Sequence, residues 1–410
     1  MEKVIFHVDV NSAFLSWEAA YRLAQDPSAE DIRKIPAAIG GDVKKRHGII
    51  LAKSNLAKQY GIKTGMPIVE AVRLCPMLYL AQPNFSIYSK RSSELMQLLK
   101  EFAPVVEQFS IDEAFLDMSH TELLYGEPMQ AAHKLKDRIK AELGFTVNIG
   151  VSNCKLLAKM ASDFTKPDRV HSLFPEEVPE KMWPLPVEDL FFVGRATGSR
   201  LRSLGITTIG ELAKTDVVFL RSQFKKHGEL IHEFANGRDV SIVSGESREN
   251  KGYGNSTTIP FDVEDAVVAK MVLLSLSETV ATRLRKNHVE TSVVSVEIVD
   301  NTFHKVSKQK TLLDPTNVTN DIYEIACSLF EQLWNGAPIR LLGIQTAKVS
   351  DDTEAKQLSI FDYNREPKLA KLDQAVDQIR GKFGDEAIMR ASFINAKIQP
   401  MQGKKTRDKK

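Results

Sequence analysis

The sequence predicts an α+β fold made of several domains. The chain has 410 residues, and at about 150 residues per domain this length is enough for two to four domains. Hydrophobic residues make up 43% of the chain, which is enough for ordinary buried cores. One order of elements (strand, helix, hairpin, helix, strand) occurs twice along the chain. Because this order is typical of a split βαβ arrangement, we expect two such sheets.

The first split βαβ unit is predicted near the N-terminus. Lys3 to Val10 is a short apolar run that predicts a buried strand. Ile87 to Phe102 repeats apolar residues at helical spacing, and Val105 to Met118 predicts a hairpin with a short polar turn. A helix over 129–143 and a strand over 145–151 complete the unit.

The other segments fit around and after this unit. The insertion 17–75 predicts two short strands and two short helices, and residues 184–238 predict several short helices separated by glycines. The polar stretch 239–251 is typical of a linker. The second unit then follows, with strands over 255–259, 293–299, 306–312 and 341–349 and helices over 263–286 and 318–334. The polar, charged residues 351–410 predict a flexible tail.

Composition excludes several classes of protein. No run of 18 or more apolar residues occurs, so we expect no membrane span. Cys75, Cys154 and Cys327 are far apart and odd in number, which argues against a zinc cluster or a disulfide framework and favours a reducing cytoplasm. The formal net charge is only +2, and taken alone this argues against a nucleic-acid partner.

Three carboxylates are predicted to meet at one edge of the first sheet. Asp9 lies near the end of the first strand, and Asp112 and Glu113 lie at the tip of the hairpin. Carboxylates that lie this close repel one another unless cations neutralise them, and an oxygen-only ligand set suits Mg²⁺ or Mn²⁺. Such a site supports phosphoryl transfer. Taken singly, an Asp-Glu pair also fits a solvated turn, and a lone Asp fits a helix cap.

Several segments together resemble the Y-family (translesion) DNA polymerases over about residues 1–350. The two metal-binding motifs of that family resemble HVDVNSAF (7–14) and SIDEAFLD (110–117), and the second motif is highly specific. Further matches, in the order of the family, are YGIKTGMP (60–67), NIGVSNCKLLAKMAS (148–162) with TKP (165–167), and the segment from FVGR to LGI (192–206).

The resemblance implies a right-hand polymerase. Its split βαβ palm is expected over 1–16 and 76–168, its small fingers over 17–75, and its helical thumb with a helix-hairpin-helix over 169–240. The second split βαβ unit, over 241–350, is expected to be the little finger, also called the polymerase-associated domain. Residues 351–410 are expected to be a flexible tail that carries a clamp-binding motif.

The resemblance also implies roles in the active site. Asp9, Asp112 and Glu113 are expected to hold two Mg²⁺ ions, which Mn²⁺ can replace, with the main-chain carbonyl of Val10 as a further ligand. Phe14 is expected to be a steric gate whose ring leaves no room for a 2′-hydroxyl, because a clash discriminates more strongly than a missing contact. Without the resemblance, a core residue at the start of a helix is the better interpretation of Phe14.

The nucleotide-binding residues depart from the family in part. The resemblance implies that Lys166, and Asn55 and Lys58 in the fingers, contact the triphosphate, although Lys166 alone also fits a solvated loop lysine. Many members have Tyr and Arg at the two fingers positions, and many have an acid where this chain has Asn11. These departures leave a polymerase-V-like lineage open beside the polymerase-IV-like one.

The implied DNA contacts lie in the thumb and the little finger. They are Gly194 and Arg195, and Arg283, Arg285 and Lys308. Main-chain N–H groups at a helix start bind a phosphate without reading the base sequence. The alternatives are glycines that merely end short helices and lysines that guard an exposed edge strand.

A short motif in the tail indicates a docking peptide. QLSIF (357–361) resembles the bacterial sliding-clamp-binding motif, in which Gln357, Leu358, Ile360 and Phe361 would enter a pocket on the clamp. Its alternative is the start of a strand or a helix.

The predicted function is therefore translesion DNA synthesis by a cytoplasmic monomer that uses primer-template DNA, dNTP and the sliding clamp. A nucleotide cyclase with a similar palm and a catalytically idle DNA- and clamp-binding relative are the alternatives. Under the main prediction, the small net charge fits weak, salt-sensitive DNA binding that a clamp tether compensates.

Overall fold

The structure is a computed structural model that describes residues 3–42, 48–246, 250–351 and 366–394. The chain divides into two compact units, one formed by residues 1–41 and 49–247 and the other by residues 42–48 and 248–410. No helix in the described ranges combines the length and the apolar character needed to cross a membrane.

The first unit begins with strands and helices in alternation and ends in a run of helices. Its elements are β1 (Ile5–Val10), α1 (Ala13–Gln25), β2 (Ala37–Gly40), β3 (Ile50–Lys53), α2 (Asn55–Gln59), α3 (Ile68–Leu74), β4 (Tyr79–Ala81), α4 (Phe85–Phe102), β5 (Val105–Gln108), β6 (Glu113–Asp117), α5 (Glu122–Tyr125), α6 (Pro128–Leu143), β7 (Val147–Ser152), α7 (Lys155–Asp163), β8 (Val170–Ser172), α8 (Arg195–Ser203), α9 (Ile209–Lys214), α10 (Val217–Phe224) and α11 (Lys226–Ala235).

The main sheet of this unit has the strand order β5-β6-β1-β7-β8. All its neighbouring strands are antiparallel except β7 and β8, which run parallel. The predicted order of strand, helix, hairpin, helix and strand is confirmed, with β8 as an additional edge strand. The α+β fold class is confirmed with it.

The alternation of side chains along β1 separates a core face from a functional face. Val4, Phe6, Val8 and Val10 belong to the main hydrophobic core, together with side chains of α4 and α6. The other face carries His7 and Asp9 and is covered by α7. The sheet therefore holds Asp9 on a buried strand beneath a helix.

A second, three-stranded sheet occupies residues 37–81 and has the order β3-β2-β4. Strand β2 pairs antiparallel with β3 and parallel with β4. Helices α2 and α3 pack on a small core that includes Ala38, Ile50 and Ile62. The two short strands and two short helices predicted for the insertion are thus present as β2, β3, α2 and α3.

The helices after β8 pack around a separate core, to which α7 also contributes. Leu201, Ile209 and Ile231 are fully buried in it. Short turns of 3₁₀ helix at Pro175–Glu177 and Val187–Asp189, and one π-helical turn at Val178–Met182, precede α8. At the start of α9, Thr208 and Glu211 form a reciprocal capping box.

The second unit repeats the split βαβ order that the sequence predicts. Its elements are β9 (Gly254–Val263), α12 (Ala266–Lys286), β10 (Val289–Asp300), β11 (Lys305–Thr316), α13 (Thr319–Leu333), β12 (Ile339–Asp351) and α14 (Glu366–Phe383). The strand order is β11-β10-β12-β9, with all neighbours antiparallel. Helices α12 and α13 pack against this sheet and enclose a core that contains Leu276 and Phe330.

The prediction of a flexible tail over 351–410 is wrong for its middle part. Residues 366–383 form α14, and Ala391–Phe393 form a 3₁₀ turn. The buried Asp373 of α14 accepts a hydrogen bond from the main-chain N–H of Thr319 (2.7 Å), which is one of the free donors at the start of α13. The sequence does carry a helical pattern in this segment, which the prediction from polar composition overlooks: apolar residues recur at spacings of three and four, at Leu369, Leu372, Val376, Ile379 and Phe383. The motif 357–361 and the basic end 404–410 lie outside the described residues.

Candidate active site

Two of the predicted carboxylates face each other across neighbouring strands. Asp9 of β1 is paired in register with Glu113 of β6. Asp112 comes directly before β6, and its main-chain carbonyl accepts a hydrogen bond from the N–H of Val10 (3.1 Å). The Ser110 hydroxyl donates to Asp112 Oδ1 (2.7 Å) and orients that side chain. The sheet thus places Asp9 and Glu113 on neighbouring strands at the end of β1, with Asp112 next to Glu113 in the chain.

Two lysines lie against these carboxylates. Lys159 Nζ of α7 is 2.6 Å from Glu113 Oε1 and 3.9 Å from Asp9 Oδ2. Lys166 Nζ is 2.8 Å from Asp9 Oδ2 and 2.8 Å from Asp163 Oδ1. Lys166 is the predicted triphosphate contact, whereas the sequence predicts no role for Lys159. Both ammonium groups neutralise acids of the site.

The position of Lys159 depends on a close contact between α7 and β7. A Cβ atom on Gly150 of β7 would lie 1.9 Å from the carbonyl oxygen of Ala158. Only glycine therefore lets the helix lie directly on the strand. Since Lys159 follows Ala158 in α7, this contact is what brings its ammonium to Glu113. Gly150, which interrupts the apolar residues of the predicted strand, is the one sequence signal for this arrangement.

Burial dominates the electrostatics of Asp9. Loss of solvent raises the pKa of Asp9 to about 6, the charges of Lys166 and Lys159 oppose that rise, and Glu113 adds to it. Burial works to lower the pKa of Lys159, but Asp163 and Glu113 raise it overall, so this side chain stays protonated. Asp9 is therefore an acid whose charged form needs a cation beside it.

His7 stays neutral in this environment. Burial lowers its pKa well below the ordinary value, and Lys159 and Lys166 lower it further. Its Nδ1 lies 2.8 Å from Ser162 Oγ, while Nε2 is buried without a hydrogen-bond partner among the described residues. A charged imidazole would place a third cation beside the two lysines.

The donor set fits a hard divalent cation. Asp9, Asp112 and Glu113 supply only oxygen ligands, which Mg²⁺ and Mn²⁺ prefer. In the described ranges no three His, Cys, Asp or Glu side chains converge closely enough to hold a metal ion. Instead, Asp9 and Glu113 bind the ammonium groups of Lys166 and Lys159. The site thus already binds positive charge through the oxygens that the sequence predicts as ligands.

An aromatic cluster surrounds Phe14, the predicted steric gate. The Phe14 ring stacks on Tyr88 with centroids 4.7 Å apart and an interplanar angle of 10°. Phe85 meets Phe14 edge to face at 5.9 Å. Phe14 is half-buried and lies in the first turn of α1, five residues after Asp9. The stack holds the ring in one orientation, as a gate requires, and equally serves the core packing that the sequence left open.

The predicted nucleotide contacts in the fingers lie on α2. Asn55 and Lys58 are exposed, and Ser54 caps the helix through the N–H of Ala57. Lys53, which the sequence did not single out, lies near Lys58, and burial together with the charge of Lys58 lowers its pKa. Two lysines rather than one are therefore available, Lys53 just before α2 and Lys58 in its last turn.

The predicted DNA contacts in the first unit lie at the start of α8. Gly194 is its N-terminal boundary residue and Arg195 its first residue, and both are exposed. Gly205 adopts a left-handed φ of 83° after the helix, where glycine is favoured. The N–H groups of this helix start are thus accessible to a phosphate.

The three predicted DNA contacts of the second unit differ in their surroundings. Lys308 is exposed on the edge strand β11. Arg283 donates to the carbonyl of Gly254 (3.0 Å). Arg285 is 11% exposed and forms ion pairs with Asp377 (2.6 Å) and Asp373 (3.1 Å) of α14. The prediction that Arg285 contacts DNA does not fit this arrangement, because α14 already pairs its charge.

Sequence comparisons match most of this architecture. The impB/mucB/samB family model matches residues 8–163, the C-terminal domain of that family matches 250–360, and the IMS family HHH motif matches 175–206. A protein of Clostridium acetobutylicum named DNA polymerase IV is 45% identical over 394 residues, which cover 96% of this chain and 99% of the relative. A protein of Clostridium kluyveri with the same name is 38% identical over 403 residues, with 96% and 99% coverage.

One solved structure has the same fold. A Y-family DNA polymerase chimera superposes with a TM-score of 0.72 at 22% identity, over 84% of this chain and 99% of that chain. At this identity the likeness concerns the fold alone.

Proposed function

Because the chain belongs to the impB/mucB/samB family, we propose that it is a Y-family, polymerase-IV-like DNA polymerase that performs translesion synthesis. It extends a primer 3′-hydroxyl on a DNA template and releases pyrophosphate. The observation that carries this proposal is the pairing of Asp9 with Glu113 across β1 and β6, with Asp112 beside them. Low fidelity, low processivity and a role in DNA damage tolerance belong to the same proposal.

We assign the four domains of such a polymerase to the predicted segments of the chain. We assign the palm to 1–16 and 76–168, the fingers to 17–75, the thumb to 169–240 and the little finger to 241–350. The five-stranded sheet supports the palm assignment, and the four-stranded sheet supports the little finger. Strand β8 joins the palm sheet although it lies beyond residue 168, so we extend the palm to Ser172 and begin the thumb after it.

Asp9, Asp112 and Glu113 are the proposed ligands of two Mg²⁺ ions, with the Val10 carbonyl as a further ligand. When bound, such ions lower the pKa of the primer hydroxyl and neutralise the triphosphate. The raised pKa of Asp9 supports this role, because the buried carboxylate gains most when a cation replaces lost solvent. Lys159 stays protonated next to Glu113 and keeps the cluster compact.

Phe14 and three polar residues are the proposed nucleotide contacts. The stacked ring of Phe14 excludes a 2′-hydroxyl by steric clash. Lys166 and Lys58 attract the triphosphate as point charges, and Asn55 donates a neutral hydrogen bond. Lys166 is bonded to Asp9 in this structure, and a triphosphate is a competing anion for the same ammonium group.

The proposed DNA contacts are sequence-independent. The start of α8 at Gly194 and Arg195 binds a backbone phosphate, and Lys308 and Arg283 add positive charge in the second unit. We leave Arg285 out of this set because Asp373 and Asp377 pair with it. With a net charge of only +2 over the chain, binding should be weak and steeply salt-dependent.

A sliding clamp is the proposed tether. Gln357, Leu358, Ile360 and Phe361 are the docking residues, and the tether raises the local concentration of the polymerase at the primer end. We also propose that the protein acts as a monomer in the cytoplasm. The three cysteines, none of which forms a disulfide, support a reducing compartment.

Primer extension on undamaged and lesion-bearing templates, with and without clamp, tests the proposal. Template-directed extension past a lesion in the presence of Mg²⁺ is the expected result. Tight DNA binding without any extension would favour an idle relative. A cyclic product from ATP alone would favour a cyclase, which has no use for the second unit.

A further inference from the structure

We propose that Asn11 and Asn148 form a positioning pair, here called the amide pair, that fixes the loop 165–169 and thereby the ammonium group of Lys166. The inference rests on the proposed function, in which Lys166 binds the triphosphate of the incoming nucleotide. Neither asparagine touches a substrate, and both act through the loop.

The amide pair lies at the end of β1, directly beside the carboxylate cluster. Asn148 of β7 is paired in register with Asp9, and Asn11 follows β1 with its main-chain N–H bonded to the carbonyl of Thr146 (3.0 Å). Their exposed fractions are 7% for Asn11 and 0% for Asn148. Asn11 Nδ2 donates to Asn148 Oδ1 (3.1 Å). Side-chain amides buried this deeply are stable only when hydrogen-bonded.

The donors of Asn148 hold the segment before Lys166. Its Nδ2 donates to the carbonyl of Thr165 (2.8 Å), the first residue of the loop. The same nitrogen donates to the carbonyl of Ser162 (3.1 Å), near the end of α7. One buried amide thus joins the end of α7 to the start of the loop.

The acceptors of the pair hold the segment after Lys166. Asn11 Oδ1 accepts a hydrogen bond from the main-chain N–H of Asp168 (2.9 Å). Asn148 Oδ1 accepts another from the N–H of Arg169 (3.3 Å). The loop is therefore fixed on both sides of the lysine. Lys166 itself reaches Asp9 and Asp163 with its ammonium group.

The main chain decides the orientation of both amides. The N–H groups of Asp168 and Arg169 can only donate, and the carbonyls of Ser162 and Thr165 can only accept. Asn11 must therefore present oxygen to the loop and nitrogen to Asn148. This requirement gives a local reason for asparagine, rather than an acid, at position 11.

Aspartate at position 11 cannot replace the asparagine. Its second oxygen would face Asn148 Oδ1, so that two acceptors would repel each other without a proton between them. Turning the Asn148 amide around would relieve the repulsion but would break its bonds to Ser162 and Thr165. Either outcome loosens the loop, and a misplacement of about 1 Å in a substrate-binding group is enough to reduce catalysis strongly.

Single-nucleotide incorporation and amide hydrogen exchange test the inference together. The variants are Asn11→Asp, Lys166→Ala and the double variant, and Asn11→Ala serves as a second variant if Asn11→Asp fails to fold. Asn335→Asp is the matched control, because it makes the same chemical change at an exposed asparagine whose Oδ1 accepts from the N–H of Ala337 (3.1 Å). An aspartate at position 335 can still accept that hydrogen bond.

We expect Asn11→Asp and Asn11→Ala to raise the apparent Kd for dNTP about tenfold, the effect of one or two lost hydrogen bonds, with a smaller change in the maximal rate. In the Lys166→Ala background the same substitutions should change the Kd less than about twofold, because the amide pair acts through Lys166. Exchange of the peptide that spans 164–170 should accelerate in Asn11→Asp and remain unchanged in Asn335→Asp.

The role of the amide pair would be overturned if the effects of Asn11→Asp and Lys166→Ala on the Kd for dNTP were fully additive. It would also be overturned if amide hydrogen exchange over 164–170 were unchanged in Asn11→Asp. Neither result would affect the proposed function as long as the wild-type protein extends a primer. If the wild-type protein extends no primer, the proposed function fails instead. The exchange measurement still reports on the loop in that case, because it needs neither nucleotide nor metal.

Discussion

Lys166 Nζ lies 2.8 Å from Asp9 Oδ2, so the most buried acid of the site is paired with a cation of the chain itself. Lys159 does the same for Glu113. Burial nevertheless holds the pKa of Asp9 at about 6, which means that the two lysines offset only part of the lost solvation. The site therefore stores an unfavourable charge that a divalent cation can stabilise.

The unfolding free energy of the metal-free protein should depend on pH because of the buried charge of Asp9. The pKa of Asp9 rises from 3.8 to about 6 on folding, so the folded state binds the proton more tightly than the unfolded state does. The contribution of Asp9 to stability is therefore complete below pH 3.8 and lost as the pH rises to about 6. At 1.36 kcal/mol per pKa unit, the loss is about 3 kcal/mol.

Urea unfolding of wild type and Asp9→Asn with a chelator, at several pH values, measures this effect. Relative to Asp9→Asn, the wild type should lose stability between about pH 4 and pH 6 and stay constant above that range. The comparison cancels the titrating groups that do not interact with Asp9. A stability difference that does not change with pH would contradict the account of Asp9.

Removal of either remaining acid should abolish catalysis. We expect Asp112→Ala or Glu113→Ala to reduce primer extension with Mg²⁺ about 1000-fold or more, because the charge developing in the transition state loses its stabilisation. Binding to primer-template DNA should persist. Asp117→Asn is the matched control, since that acid lies on the same strand, accepts a bond from Ser119 N–H (3.0 Å) and keeps it as an amide. Extension by Glu113→Ala at the wild-type rate would refute the assignment.

The local sequence predicts the strands, the acids and the presence of Lys166 in the site, but not Lys159, the cation that neutralises Glu113. Asp9, Asp112 and Glu113 follow from strand order and hairpin position. Lys159 reaches Glu113 only because Gly150 admits α7 onto β7, and this contact depends on two elements packing together. In α14 the apolar residues do repeat at helical spacing and indicate a helix. The contacts of Asp373 with Thr319 and of Asp377 with Arg285 depend on the packing of separate elements, which the local sequence does not reveal.

The steric gate should fail when its ring is removed. We expect Phe14→Ala to increase incorporation of ribonucleotides relative to deoxyribonucleotides about 100-fold, which corresponds to about 3 kcal/mol of lost discrimination. Tyr88→Leu should give a smaller increase, because it removes the stack at 4.7 Å that orients Phe14. Tyr88→Phe keeps the ring and serves as the control. Steady-state kinetics with matched dNTP and rNTP measures the ratio, and unchanged selectivity in Phe14→Ala would exclude the gate.

Arg285 and Lys308 should separate stability from DNA binding. Arg285→Ala leaves Asp373 and Asp377 without their buried partner, and we expect a loss of about 3 kcal/mol in unfolding free energy with little change in DNA affinity. Lys308→Ala should leave stability unchanged and reduce the slope of log affinity against log salt by about 1. Urea unfolding and fluorescence anisotropy at several salt concentrations measure both quantities. A reduced salt slope in Arg285→Ala would restore that residue to the DNA surface.

The clamp motif should affect synthesis only when the clamp is present. Leu358→Ala and Phe361→Ala each remove an apolar side chain whose burial is worth about 1.5–3 kcal/mol, so each should weaken clamp binding at least about tenfold. Deletion of 357–361 should abolish clamp stimulation, because the tether and its high local concentration are lost together. Basal extension without clamp should stay at the wild-type rate, since the motif supplies none of the palm residues.

Ser359→Ala is the control inside the motif, at a position not expected to enter the clamp pocket. Primer extension on a circular template loaded with clamp measures the stimulation, and stimulation that survives the deletion would move the clamp contact to another part of the chain.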